Sequence, residues 1–163
     1  FDLVAQGSGR VMAIFHMMSE PDIETALRFP WTSIGSDAGA AMSDGGQDPT
    51  GLTHPRAYGN FPRVIARYVR ERGVLTLEQA IHKMTGLTAR VFGLRDRGRI
   101  ETGCFADLVL FDPATVIDRA TYDSPLQPSV GIERVYVNGQ LSFAKDKGVT
   151  ARAGRLVGGN NRA

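Results

Sequence analysis

The chain has 163 residues, of which 42% are hydrophobic and 22% are charged, a composition typical of a soluble globular protein rather than a disordered one. Its 19 basic and 17 acidic residues give a net charge of +2, which provides no general attraction to nucleic acid or to an acidic membrane. A lone cysteine excludes an internal disulfide and no apolar run reaches the roughly 18 residues of a membrane helix, so we expect a cytoplasmic protein.

The first residues, Phe1-Asp2-Leu3-Val4, include no initiating methionine and none of the features of a signal peptide. We therefore expect the chain to be part of a longer polypeptide. A part of a larger fold should contain an incomplete set of that fold's elements.

A strand, a helix and a second strand are predicted near the start of the chain. The apolar run from Val11 to Met18 has the length of a buried strand. Ser19 then supplies a helix N-cap with Pro21 in the first turn, and Pro30 ends the helix. Residues 32–36 are predicted to form the second strand. This alternation is typical of a parallel sheet with crossover helices.

A long loop is predicted from Gly39 to Gly59, because the segment contains the turn-forming pairs Gly45-Gly46, Asp48-Pro49 and His54-Pro55. About twenty residues without regular structure usually mark a functional loop in a compact domain.

Three helices are predicted after this loop. Apolar residues recur at helical spacing after Pro62, up to a C-cap at Gly73. Thr76 and Gln79 form a capping box for the second helix, and Thr88 is predicted to cap a short third helix.

The remainder of the chain is predicted to be rich in β-structure. Residues 106–111 have the composition of a strand, and Asn138-Gly139 between two alternating segments predicts a hairpin with a type I′ turn. We therefore divide the chain near residue 97, into an α/β part (1–97) and a β-rich part (98–163).

Asp37 is the first candidate for a catalytic residue, because it follows directly on the second predicted strand. In α/β barrels the catalytic groups lie at the carboxyl ends of the strands, where a general base or a metal ligand is expected. The alternative is a carboxylate that caps backbone N–H groups of the loop.

Arg56 is the second candidate, since it follows a rigid proline at the end of the long loop. Its guanidinium could bind a substrate carboxylate through two parallel hydrogen bonds. The alternative is an ordinary surface arginine.

The histidines predict no metal site in this chain. His16, His54 and His82 lie far apart, and none has the spacing of paired metal ligands. We therefore assign no metal ligand to it.

Several blocks between Arg10 and Gly139 resemble one enzyme family. The blocks are Phe15-His16-Met17-Met18-Ser19-Glu20, Pro30-Trp31 with Ile34-Gly35-Ser36-Asp37, His54-Pro55-Arg56-Ala57-Tyr58-Gly59-Asn60-Phe61-Pro62, Lys83-Met84-Thr85-Gly86-Leu87-Thr88-Ala89, Ala106-Asp107-Leu108-Val109 and Val135-Tyr136-Val137-Asn138-Gly139. Together they resemble the N-acyl-D-amino-acid deacylases, or D-aminoacylases, of the amidohydrolase superfamily.

The resemblance implies a (β/α)8 TIM barrel flanked by a small β-sandwich. Residues 1–97 would supply the last barrel strands with their helices, and residues 98–163 would supply strands of the sandwich. Such a barrel requires about 250 residues, so the resemblance also implies an N-terminal segment that is missing from this chain.

The resemblance further implies zinc-dependent hydrolysis of N-acyl-D-amino acids to a D-amino acid and a carboxylic acid. Asp37 matches the family's catalytic acid/base, and Arg56 matches the arginine that pairs with the substrate carboxylate. The zinc ligands would lie in the missing N-terminal segment, which would be this chain's partner along with the substrate.

Two alternatives stay open at this point. The first is a D-dipeptidase or a cyclic-amide hydrolase of the same superfamily, although a ring amide offers no free carboxylate to Arg56. The second is a non-catalytic fragment that acts only in binding or oligomerisation.

Overall fold

A computed structural model describes residues 2–7, 17–39 and 53–157. In these ranges the helical elements precede all the strands. The helical elements are α1 (Asp2–Gln6), α2 (Glu20–Arg28), α3 (Arg56–Arg63), a π-helical segment (Val64–Glu71), α4 (Leu77–Met84) and α5 (Gly86–Val91). The strands are β1 (Leu108–Phe111), β2 (Ile132–Val137), β3 (Gln140–Ala144) and β4 (Gly148–Val149). Among the described residues, no helix is long and apolar enough to cross a membrane.

Helix α2 begins and ends where the sequence predicts. The Ser19 hydroxyl accepts the N–H of Asp22 at 3.4 Å, so it satisfies one of the amide groups left open at a helix start. The helix ends at Arg28, two residues before Pro30. The prediction of this helix is confirmed.

Neither of the two strands predicted around α2 is found among the described residues. The first falls mostly on residues 11–16, which lie outside them. The second, at 32–36, does not form, and its prediction is wrong. A strand requires a neighbouring strand to complete its hydrogen bonds, whereas here the N–H of Ile34 donates to the carbonyl of Lys83 in α4 at 3.2 Å.

Lys83 also fixes this segment with its side chain. It is only 5% exposed, and its Nζ donates to the carbonyl of Thr32 at 3.1 Å and to the carbonyl of Phe29. Burial lowers the pKa of Lys83 below its ordinary value. Lys83 therefore holds the chain that leads from α2 towards Asp37.

Replacing Lys83 by methionine should lower the free energy of unfolding by about 2 kcal/mol, because two partly buried carbonyls lose their donor. Urea unfolding measures the change. Lys145→Met is the matched control: Lys145 is 64% exposed and pairs with Glu133, so its loss should cost less than about 0.5 kcal/mol. Equal losses in the two variants would contradict the role given to Lys83.

Helix α3 begins earlier than predicted. It starts at Arg56, within the loop predicted from Gly39 to Gly59, and it continues through Pro62 instead of following it. Most of that predicted loop, residues 40–52, lies outside the described residues. Proline lacks an N–H and so leaves the carbonyl four residues earlier without its usual donor. That carbonyl, of Tyr58, accepts the hydroxyl of Ser129 at 2.9 Å. The helix then passes into the π-helical segment, which is followed by Gly73 with φ 59°, at the predicted C-cap.

Helices α2 and α4 and the π-helical segment share one apolar core. Its buried members come from α2, the π-helical segment, α4 and the turn between the last two: Leu27, Val64, Tyr68, Val74, Leu75 and Ala80. An ion pair between Arg67 and Glu20, at 3.0 Å, adds a second link between the π-helical segment and α2. The core therefore fixes α2 against α4.

The capping box of α4 is confirmed, but the cap predicted for α5 is wrong. Thr76 and Gln79 exchange the expected side-chain to backbone hydrogen bonds at the start of α4. Helix α5 begins at Gly86, so Thr88 lies inside it, and its hydroxyl donates to the carbonyl of Lys83 at 2.8 Å.

The four strands form an antiparallel sheet in the order β1-β2-β3-β4. Asn138 and Gly139 connect β2 to β3 with φ angles of 50° and 80°, the left-handed values that a type I′ turn requires. The predicted hairpin and the predicted strand before it are both confirmed.

Residues 112–130, between β1 and β2, pack against α3 and the π-helical segment. Asp118 pairs with Arg63 at 3.0 Å, and the carbonyl of Val116 accepts a hydrogen bond from Arg70 at 2.9 Å. Gly59 faces this segment so closely that a Cβ at its position would lie 2.8 Å from the Cβ of Asp118. Residues 112–130 thus support the helix that starts at Arg56.

Candidate functional site

The structure brings together Asp37 and Arg56, the two site residues predicted from the sequence. Oδ2 of Asp37 lies 3.1 Å from Nη2 of Arg56. The two side chains are 89% and 42% exposed, respectively. An ion pair this exposed adds little to stability. The same exposure leaves both side chains accessible to a ligand.

Asp37 is held by its neighbours in a backbone conformation that is uncommon outside glycine. Its φ is 49°, in the left-handed region where aspartate and asparagine are enriched. The hydroxyl of Ser36 accepts the N–H of Ala38 at 3.4 Å, so at this point the side chain that caps the loop is that of Ser36. Asn60 in α3 donates to the carbonyl of Gly35 at 3.3 Å and ties this turn to the helix.

Arg56 is the first residue of α3, and the preceding histidine fixes its backbone. Pro55 has no side chain that can accept a hydrogen bond, but Nδ1 of His54 accepts the N–H of Arg56 at 3.0 Å. The histidine therefore performs the task of a capping side chain at the helix start.

His54 also contacts Tyr122 of the 112–130 segment. Its Nε2 lies 3.4 Å from the hydroxyl oxygen of Tyr122, and the two rings meet edge to face with centroids 5.2 Å apart. Burial, and after it the positive charge of Arg56, lower the pKa of His54 from its ordinary value. Since Nδ1 accepts the Arg56 N–H, the geometry fits the neutral ring with its proton on Nε2.

In the sequence, His54 stands out only as part of a motif, and no pattern marks Tyr122. A histidine before a proline at a helix start could have indicated a cap. No local signal relates two residues so far apart in the chain.

The arrangement combines a proton-transfer group with an anion-binding group. A carboxylate can accept a proton and then donate it. A guanidinium offers five N–H donors on three nitrogen atoms, and the contact with Asp37 involves only Nη2, so donors on the other nitrogens can bind an anion. Residues 2–7, 17–39 and 53–157 contain no group of three or more His, Cys, Asp or Glu side chains that could hold a metal ion. The described residues alone therefore do not fit a zinc site.

Comparison with known proteins places this chain in a family. The sequence pattern of the amidohydrolase family matches residues 8–143. A D-aminoacylase of Alcaligenes xylosoxydans xylosoxydans is 46% identical over 145 residues, which are 89% of this chain and 28% of that protein. An N-acyl-D-glutamate deacylase of the same organism is 48% identical over the same shares.

The fold agrees with a solved structure from the same group of enzymes. The N-acyl-D-glutamate deacylase of Bordetella bronchiseptica, complexed with zinc and a phosphonate inhibitor that mimics the tetrahedral intermediate, matches with a TM-score of 0.70 and 45% identity. The match covers 78% of this chain and 25% of that one. The chain thus spans little more than a quarter of the length of these relatives. Because the family pattern covers most of its residues, the chain belongs to the amidohydrolase family.

Proposed function

We propose that this chain is the C-terminal part of a zinc-dependent deacylase that hydrolyses the amide bond of N-acyl-D-amino acids. The observation that carries the proposal is the pairing of Asp37 with Arg56 at 3.1 Å. It occurs in a sequence 46% and 48% identical to a D-aminoacylase and an N-acyl-D-glutamate deacylase. The products would be a D-amino acid and a carboxylic acid.

We infer that residues 1–97 belong to a (β/α)8 barrel and residues 98–163 to a small β-sandwich. The chain spans 28% of its curated relatives, so a further segment of the enzyme would supply the other barrel strands and the zinc ligands. Strand β1 supports the need for that segment. It lies at one edge of the described sheet, and its Val109 and Leu110 are 53% and 57% exposed.

Arg56 would bind the free carboxylate of the substrate. An N-acyl-amino acid carries that carboxylate on the same carbon atom as the amide nitrogen. A carboxylate bound to Arg56 therefore brings the nitrogen close to Asp37, whose carboxylate lies 3.1 Å from the guanidinium. A cyclic amide has no free carboxylate for Arg56, so the site favours a linear substrate.

Asp37 would transfer the protons of the reaction. It would accept a proton from the attacking water and donate it to the departing amine, which cannot leave as an anion at neutral pH. Its exposed position, in a turn held by Ser36 and Asn60, suits a group that meets a substrate.

The test is an assay of the complete enzyme and of this chain alone on four substrate classes, with zinc measured in both. The substrates are N-acetyl-D-amino acids, their L enantiomers, D-dipeptides and cyclic amides. We expect the complete enzyme to contain zinc, to prefer the N-acetyl-D-amino acids and to lose activity with a chelator, and the chain alone to be inactive. Preference for D-dipeptides or cyclic amides would favour the alternative activities, and a complete enzyme without turnover would favour a binding role.

A further inference from the structure

Both the side chain and the backbone of Arg56 are held by neighbouring residues, the side chain by a carboxylate and the backbone by a ring nitrogen. Its guanidinium contacts Asp37, which is exposed to solvent. Its backbone N–H is held by Nδ1 of His54 at 3.0 Å. Because α3 starts at Arg56, this second contact sets the direction in which the helix, and the arginine with it, begins.

The ring of His54 is itself fixed by Tyr122. The hydroxyl of Tyr122 lies 3.4 Å from Nε2, and the edge-to-face contact of the rings restricts rotation of the imidazole. With Nδ1 occupied by the Arg56 N–H, Nε2 is the atom that carries the proton towards Tyr122. The Tyr122 hydroxyl can accept this proton, so the contact is compatible with the tautomer that the backbone of Arg56 requires.

Tyr122 in turn belongs to a segment that is attached to α3 at further points. Asp118 pairs with Arg63 at 3.0 Å, and Ser129 donates to the carbonyl of Tyr58 at 2.9 Å. The first turn and the last residue of α3 are thus held by residues 118–129, which lie between β1 and β2.

We propose that His54 and Tyr122 are positioning residues for the substrate carboxylate, which orient the first turn of α3 so that the Arg56 guanidinium meets its ligand beside Asp37. The inference rests on the proposed function, in which Arg56 binds that carboxylate. It extends the site from the two predicted residues to a pair that touches neither substrate nor metal.

Three substitutions in the complete enzyme separate the two contacts. His54→Phe keeps a planar ring against Tyr122 but removes the acceptor for the Arg56 N–H. His54→Asn keeps an acceptor near the position of Nδ1 but removes the ring. Tyr122→Phe keeps its ring and removes only the hydroxyl.

We expect His54→Phe to raise KM for an N-acetyl-D-amino acid about tenfold, with kcat changed less than about threefold. A carboxylate contact made equally in the ground state and in the transition state affects KM and leaves kcat unchanged. His54→Asn should restore KM to within about threefold of the unmodified enzyme, and Tyr122→Phe should raise it about threefold, as befits the loss of a single neutral hydrogen bond. Tyr136→Phe, in strand β2, is the matched control and should leave both constants unchanged.

Hydrogen exchange of the Arg56 amide in the complete enzyme gives a second readout that does not depend on activity. It should be about tenfold faster in His54→Phe than in His54→Asn, because only the phenylalanine removes the acceptor. Equal exchange rates, or an active enzyme whose KM is unaffected by His54→Phe, would overturn the proposal. An unmodified enzyme without deacylase activity would instead overturn the proposed function, and the exchange rates would still decide the positioning role.

Discussion

Replacing Asp37 by asparagine should reduce kcat of the complete enzyme about a thousandfold while leaving its fold and its KM almost unchanged. An amide cannot carry the proton from water to the departing amine, and positioned acid/base groups contribute about a hundredfold to ten-thousandfold to rate. Asparagine suits the site in other respects. It tolerates the left-handed φ of 49°, and its oxygen can still accept from Arg56. Steady-state kinetics with an N-acetyl-D-amino acid measures the loss.

The control for this substitution is Asp146→Asn, an exposed aspartate in the turn between β3 and β4. It removes the same charge without touching the proposed site and should leave kcat within about twofold. The free energy of unfolding of Asp37→Asn should change by less than about 0.5 kcal/mol, because its side chain is 89% exposed. A fall in kcat of less than tenfold would mean that Asp37 does not transfer the proton.

Elements fixed by local signals could be predicted from the sequence with accuracy. Ser19 begins α2, the Thr76 and Gln79 pair begins α4, and Asn138-Gly139 joins two strands, as each pattern indicates. In all three cases the residues that make the stabilising contacts lie within a few positions of one another, so a short stretch of sequence determines where the element begins or turns.

Elements that depend on distant partners could not be predicted in this way. The segment at 32–36 has strand-like residues, yet its hydrogen bonds go to Lys83 of α4. Pro62 looks like a helix start, but the helix passes through it because Ser129 satisfies the carbonyl that the proline leaves open. In each case the deciding group lies about fifty residues or more away, where no periodicity points to it.

The candidate site shows the same division. Asp37 and Arg56 are predictable from their local setting, one after a predicted strand and one after a rigid proline, and from the family resemblance of the blocks that contain them. Their contact joins residues near the two ends of the predicted loop, and the contact of His54 with Tyr122 joins the helical part of the chain to the segment before β2. A sequence motif can thus identify a candidate site residue, whereas the residues that hold its side chain or backbone in place become visible only in the tertiary structure.

Replacing Arg56 by alanine should raise KM for an N-acetyl-D-amino acid about a hundredfold, while Arg56→Lys should raise it about tenfold. Alanine removes the whole contact with the substrate carboxylate, and hydrogen bonds to a charged group are worth about 1.5–3 kcal/mol each. Lysine keeps the charge but loses the planar pair of donors that matches a carboxylate. The two KM values, measured in the complete enzyme, therefore separate charge from geometry.

A substrate that lacks the carboxylate provides a second test of the contact between Arg56 and the substrate carboxylate. The primary amide of the same N-acetyl-D-amino acid offers Arg56 no anion, so Arg56→Ala and the unmodified enzyme should bind it equally weakly. The combination of the two changes forms a double-mutant cycle, in which a strong coupling between Arg56 and the carboxylate indicates direct contact. If Arg56→Ala instead lowered kcat equally for the amide and for the acid, the arginine would act through its ion pair with Asp37, 3.1 Å away, and the carboxylate would bind elsewhere.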